Sequence, residues 1–235
     1  MPSILFHNIL RGKTKILNIL CLVFLILATG SALYVFAADT STFNQTINSG
    51  TLSVDIVDGS YVSVSTPSIS MSTLSFGFTC QTSTGTFGTA TEQIYVKNPD
   101  AADAGWTVSI AGSAPTAVWD SAGTDFDFND STDSGCTDGG GDADSYGGQM
   151  TVDASGGSID VGSCSTCTTT GVSAGSSNSF VEDSVDDITI LSGASESDDI
   201  GDWTLRGVSI SQKVPAEQPA AADYAINMVL SILAN

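Results

Sequence analysis

Leu52-Ser53-Val54-Asp55-Ile56-Val57-Asp58-Gly59-Ser60-Tyr61-Val62-Ser63-Val64 is the stretch that decides the fold class. Apolar side chains alternate with polar ones, so Leu52, Val54 and Ile56 share one face of an extended strand. Asp58-Gly59 then supplies a two-residue turn, and Tyr61 to Val64 reads as the returning strand of a hairpin. The same period of two recurs at Leu74–Phe78, Gln93–Lys97, Trp106–Ile110, Gln149–Asp153, Asp187–Leu191, Trp203–Ile210 and Tyr224–Leu233. Arg206-Gly207 resets the alternation between Leu205 and Val208, which reads as a bulge. Helical periodicity is nearly absent after Ala37. Short strands separated by Gly, Ser, Asp and Pro predict an all-β chain, a single antiparallel β-sandwich or barrel-like domain.

Residues 1–37 read differently. Arg11, Lys13 and Lys15 precede an apolar run from Ile16 to Phe36, and small residues at Val35-Phe36-Ala37 suit cleavage before Ala38 or Asp39. The run is also long enough to span a bilayer as an uncleaved anchor. Either way the expectation is an exported chain: a signal peptide over 1–37, a β-sandwich domain over 38–235, and a secreted, cell-surface location. Membrane contact would come only through the leader, if it is retained.

Charge narrows the partners. The 235-residue chain has 26 Asp plus Glu against 6 Lys plus Arg, and a single histidine, His7. Beyond the leader the basic residues are Lys97, Arg206 and Lys213, a formal charge of −23. Nucleic acid is excluded as a partner, since phosphate neutralisation needs Lys and Arg. Without histidine, no Ser-His-Asp or Cys-His nucleophile and no His-ligated zinc can form. No carboxylate pair is singled out for glycoside hydrolysis, and no base stands beside the many Ser and Thr. The expectation is a non-enzymatic protein with no catalytic residue.

Residues 111–185 form a Gly-, Ser-, Thr- and Asp-rich excursion with too few large apolar residues for a core of its own. Something should tie it down, and disulfides and cations are the two candidates. Cys80, Cys136, Cys164 and Cys167 are an even set in an exported chain, with three pairings open. Cys136 joined to Cys164 or Cys167 would close the excursion on itself. For a cation, Asp125, Asp127 and Asn129 alternate with Phe126 and Phe128, so their oxygens share one face of an extended strand. Asp130, Asp133, Asp138, Asp142 and Asp144 follow, and calcium takes six to eight such oxygens. The spacing is not an EF-hand, because Asp130 occupies the turn-glycine position and Cys136 the position of the bidentate Glu. A solvated acidic loop is the competing reading.

Three tryptophans complete the inventory. Trp106 and Trp203 lie in alternating strands, where core packing is expected. Trp119 borders the acidic segment. Trp106 and Trp119 are the candidates for a binding surface, with core packing the competing role for Trp106.

Several stretches, in order, resemble the WxL domain of Gram-positive surface proteins. They are Ser49-Gly50-Thr51-Leu52-Ser53-Val54, Leu74-Ser75-Phe76-Gly77, Ile94-Tyr95-Val96-Lys97-Asn98 and Gly105-Trp106-Thr107-Val108. Val214-Pro215-Ala216 through Ala222-Asp223-Tyr224 to Leu230-Ser231-Ile232 resembles that family's terminal strand and lead-in loop. Here Val108 replaces the leucine of the first motif, and Leu230 stands where the second motif has its tryptophan. The resemblance implies secretion, association with cell-wall polymer or other surface proteins, and a role in adhesion. A second resemblance lies at Phe43-Asn44-Gln45-Thr46-Ile47-Asn48-Ser49-Gly50-Thr51-Leu52, which looks like the start of secreted biofilm-matrix fibre subunits. It implies self-association, with residues 38–48 acting as a donor strand for a neighbour.

Overall fold

A computed structural model describes residues 18–24, 44–46, 48, 50–99, 104–139, 145–195, 197–198 and 200–235. The chain divides into two compact units, Met1–Ile47 and Asn48–Asn235. In the first, residues 18–24 are helical with exposed side chains. Among the described residues no helix is long and apolar enough to cross a membrane. The expected leader, residues 1–37, lies outside the described residues except for 18–24.

The second unit is an all-β sandwich of antiparallel sheets. One sheet has the order β1 (Ser53–Val57), β3 (Gln93–Asn98), β12 (Gly201–Arg206), β8 (Ser158–Val161). A second runs β10 (Asn178–Ser179), β7 (Gln149–Asp153), β13 (Val208–Val214), β2 (Gln81–Phe87). The third is β14 (Met228–Ala234), β4 (Trp106–Gly112), β11 (Asp187–Gly193), β9 (Val172–Ala174). A two-stranded pair, β5 (Val118–Trp119) with β6 (Phe126–Asp127), completes the set.

The first two sheets are joined through shared corners. β12 pairs with β3 and β8, while β13 pairs with β2 and β7, so three lengths of chain pass from one sheet to the other together. Only Gly207 separates β12 from β13, and its φ is +79°. Its N–H donates to the Gly88 carbonyl at 2.8 Å. Gly88 also has φ +79°, and a Cβ there would lie 2.7 Å from the Leu205 oxygen. Both positions need glycine because the backbone is left-handed at the bend. Leu205 and Val208 are both buried on either side of it, as the reset alternation requires.

Alternation puts Trp106, Val108 and Ile110 of β4 into the core, with Ile188, Ile190 and Leu191 of β11, Trp203 and Leu205 of β12, and Val152 of β7. The two indoles pack with ring centroids 5.5 Å apart at its centre. A register shift between Thr189 and Leu191 lets Ile190 and Leu191 both point inward.

Four strand expectations are corrected. Trp203–Ile210 is not one strand bulged at Arg206-Gly207: the left-handed Gly207 turns the chain from β12 into β13, in a different sheet. Leu74–Phe78 forms no strand: Phe76 and Phe78 are exposed and meet edge-to-face at 5.2 Å. The return after Asp58-Gly59 is a single bridge, Val57 to Ser63, with Tyr61 at φ +61°. The last strand starts at Met228, because Ala225 is drawn aside into a bridge with Asp120. Residues 111–185 contain β5 to β10. From Gln149 onward this segment builds the sandwich, since β7 lies between two other strands of its sheet.

Candidate functional site

A groove opens along the side where β14 ends its sheet. Its first compartment, about 430 Å³, lies between residues 71–77 and the loop from Val214 to Tyr224. The second, about 510 Å³, lies between 67–71 and the stretch from Tyr224 to Leu230. Met71, Trp119 and Tyr224 line both, so the two form one trough. Its floor includes Phe126 and Gln212 in the first compartment, and Ile110, Met150 and Ile210 in the second. The lining contains no basic residue, and its only acidic residues are Asp55 and Glu92.

The wall at its centre is aromatic. Trp119 stacks on Phe126 at 5.7 Å and 9°, and Phe126 meets Tyr224 edge-on at 5.0 Å. Trp119 Nε1–H donates to Gln212 Oε1 at 2.9 Å. The buried Gln212 in turn donates from Nε2 to the Asp127 and Lys213 carbonyls at 2.9 and 2.8 Å. This fixes the indole plane, leaving one half-buried face toward the trough. Trp119 is therefore where a contact residue would stand. Trp106 is fully buried, which corrects its candidacy for a surface: it is a core residue.

The acidic segment has a structural use that its spacing does not announce. Asp127, Asn129 and Asp130 are buried, as are Phe126 and Phe128, so the oxygens do not share a solvent face. The carboxylates fold the segment by accepting local donors. Asp125 Oδ1 takes the Ser121 N–H at 3.0 Å, and Asp127 Oδ1 the Phe128 N–H at 2.6 Å. Asp130 takes the Thr132 and Gly139 N–H groups at 2.8 and 2.5 Å, and Asp133 the Thr137 hydroxyl at 2.9 Å. Asn129 donates to the Pro115 carbonyl at 3.1 Å. Asp138 is exposed, and Asp142 and Asp144 lie outside the described residues. Among the described residues no three of these carboxylates converge on one point.

Both disulfides are formed, and they leave no thiol in the sandwich. Cys80 pairs with Cys136, tying the chain before β2 to the loop after β6. Cys164 pairs with Cys167. The excursion is thus fastened to the strand beside it and not closed on itself. Two disulfides point to an oxidising compartment.

The group of Cys164, Cys167 and Asp202 is the one set of three potential ligands that converges among the described residues, within 4.8 Å. With both sulfurs in a disulfide it is a clamp. Asp202 Oδ1 accepts the Cys164 N–H at 2.8 Å. Its Oδ2 accepts the Ser163 N–H, the Ser163 hydroxyl and the Tyr95 hydroxyl at 2.6 to 2.7 Å. Burial alone would raise the Asp202 pKa, but these four donors outweigh it and hold the carboxyl below its ordinary value. Burial, then the bond to that carboxylate, pushes Tyr95 up to about 12.

Because the Asp202 pKa is depressed on folding, its contribution is present above the unfolded value of about 3.9 and lost as pH falls through the folded value. Asp202→Asn should cost about 2–4 kcal/mol at pH 7, since the amide turns a donor toward donors. Denaturant melts from pH 7 down to 2 should show the gap to wild type closing below pH 4. A gap that stays constant to pH 2 would show that the charged form gives no stability.

No protein-family model, no curated protein and no solved structure matches the chain.

Proposed function

We propose that this is an exported, non-enzymatic surface protein that binds an extended apolar segment in the trough beside β14. The observation that carries the reading is the trough: a long, half-open apolar channel bounded by residues 67–77, floored by core side chains and walled by Trp119, Phe126 and Tyr224. An edge strand beside an apolar channel suits strand addition, in which backbone bonds give affinity and alternate side chains fill pockets. An acidic exterior and a channel whose only charged lining residues are Asp55 and Glu92 favour an apolar strand over an anionic polymer. The WxL-like order of motifs supports a wall-associated or adhesive role. Calcium at the acidic segment is a separate proposal, to which the local hydrogen bonds of these Asp residues add no support.

One observation favours a second reading, a fibre subunit. The chain enters the sandwich with the Gly50 N–H bonded to the Pro99 carbonyl, beyond the Ser53 end of β1. The trough borders β1 at Asp55 and Ile56, toward the opposite end. Residues 38–48 carry Phe43 and Ile47, spaced for one face of a strand, and a neighbour's copy of that segment would suit an apolar trough.

Light scattering after size exclusion, with pulldown on whole envelopes, separates the readings for the exported protein. A monomer or small oligomer retained by envelopes is expected for the surface module. Retention should fall when Trp119→Ala and Met71→Asp disturb the trough. Long polymers at rising concentration would select the fibre. Retention unchanged by both substitutions would remove the trough from the function.

A further inference from the structure

We propose that β14 pairs with β14 of a second copy, antiparallel about a two-fold axis through Ser231, to make a dimer with one continuous eight-stranded sheet. The other outer strands in the described residues are protected in ways β14 is not. β1 is bordered by the return, where Val64 N–H bonds the Ile56 carbonyl and Asp58 N–H the Val62 carbonyl. β2 is covered where Ser72 N–H bonds the Thr84 carbonyl. β9 has three residues, β5, β6 and β10 have two each, and β8 carries Asp160 in an ion pair with Arg206. β14 is seven residues of Met-Val-Leu-Ser-Ile-Leu-Ala with no charge, no proline and no register shift against β4. β1 packs near it but shares no backbone pairing with it. Unprotected apolar edges of this kind template strand pairing.

The geometry assigns the register. The Asn227 carbonyl accepts from Ser113 and the Asn235 N–H donates to Gly105, so odd-numbered residues bond toward β4. The N–H and C=O groups of Met228, Leu230, Ile232 and Ala234 therefore point outward. An antiparallel pair centred on Ser231 sets Leu230 against Ile232 of the second copy and Met228 against Ala234, as hydrogen-bonded pairs. Val229 then faces Leu233 of the second copy, and Ser231 faces itself, as non-hydrogen-bonded pairs. Val229 is 46% and Leu233 71% exposed in the single chain, and both gain an apolar partner. No charge meets a like charge, and all seven residues of each strand are used. The two-fold closes the contact, so the product is a dimer and not a filament. Strand addition from the trough would use the same outward groups of β14, so the two partners exclude each other: an added strand should dissociate the dimer, while a dimer that forms without any such strand stands apart from the trough reading.

The test uses the exported protein carrying Ser231→Cys, left to oxidise without added thiol. Opposed non-hydrogen-bonded residues have Cα atoms about 4.5 Å apart, within disulfide reach. The expected result is a covalent dimer formed by most chains at micromolar concentration. Ser209→Cys, on the exposed face of β13 inside its sheet, should give none. In the uncross-linked protein, sedimentation should show a concentration-dependent dimer. Leu233→Lys should weaken it about ten- to thirtyfold, through the two lost cross-strand pairs. Raising NaCl to 0.5 M should tighten it, because two acidic bodies repel each other and salt screens that. A monomer at every concentration, no cross-link at position 231, or assemblies larger than two would each overturn the proposal.

Discussion

Trp203→Ala is expected to cost about 3–5 kcal/mol, a large part of the 5–15 kcal/mol that holds an ordinary domain together. Trp203 is fully buried and stacked near Trp106, and its Nε1–H donates to the Thr168 carbonyl at 2.8 Å. Truncation therefore opens a cavity between sheets and also releases the loop that follows the Cys164–Cys167 bridge. Trp106→Ala should fall in the same range by cavity alone. Phenylalanine separates the two. Trp106 Nε1 has no hydrogen-bond partner among the described residues, so Trp106→Phe discards a donor that contributes nothing. Trp203→Phe strands the Thr168 carbonyl and should cost about 1–2 kcal/mol more than Trp106→Phe. Urea melts read both differences. Equal costs for the two Phe variants would mean that the Thr168 bond is not a fastening.

Removing the Cys80–Cys136 bridge should be the largest change available outside the core. The cysteines are 56 residues apart in sequence, and loop-closure entropy over that span gives about 4 kcal/mol. The Cys164–Cys167 loop, at a separation of three, gives about 2 kcal/mol. For a domain of this size the first double Ser variant should melt roughly 8–16 °C lower, and the second about half as much. The ordering matters more than either value. The long bridge holds the loop behind β6, and with it Phe126 and Trp119, against the chain entering β2. Its loss should thus also raise the exposure of Trp119, visible as a red shift in fluorescence. If the short bridge proved the more costly, the Asp202 clamp and not loop entropy would dominate.

Much of this fold is legible from pattern alone, and the failures share a cause. β3, β4, β7 and β11 bury one face and bring large side chains to it, so alternation exposes them. β2 is invisible because its inward positions are Ser83, Gly85 and Phe87, small or polar residues beneath a covering segment. Leu74–Phe78 alternates equally well but joins no sheet, and Leu74 to Gly77 wall the trough instead. Periodicity reports which residues could share a face; it does not report whether a partner strand exists. Spacing is equally silent about the hydrogen bonds of the acidic segment. Its oxygens alternate correctly for a shared cation, yet the nearest donors are backbone N–H groups two to nine residues away. Those backbone contacts engage Asp125 and Asp130, and the Thr137 hydroxyl engages Asp133. Nothing in the spacing singles out Asp202, which acts through Ser163, Cys164 and Tyr95, distant in sequence.

Amide hydrogen exchange tests the trough most directly, on the disulfide-bonded protein with and without a synthetic peptide of residues 38–50. Protection is expected on both sides of the channel at once, over 69–77 and over 224–230, with slower exchange at the Trp119 indole. Exchange unchanged on both walls at saturating peptide, or protection confined to the far edges β8 and β9, would contradict a strand-binding trough.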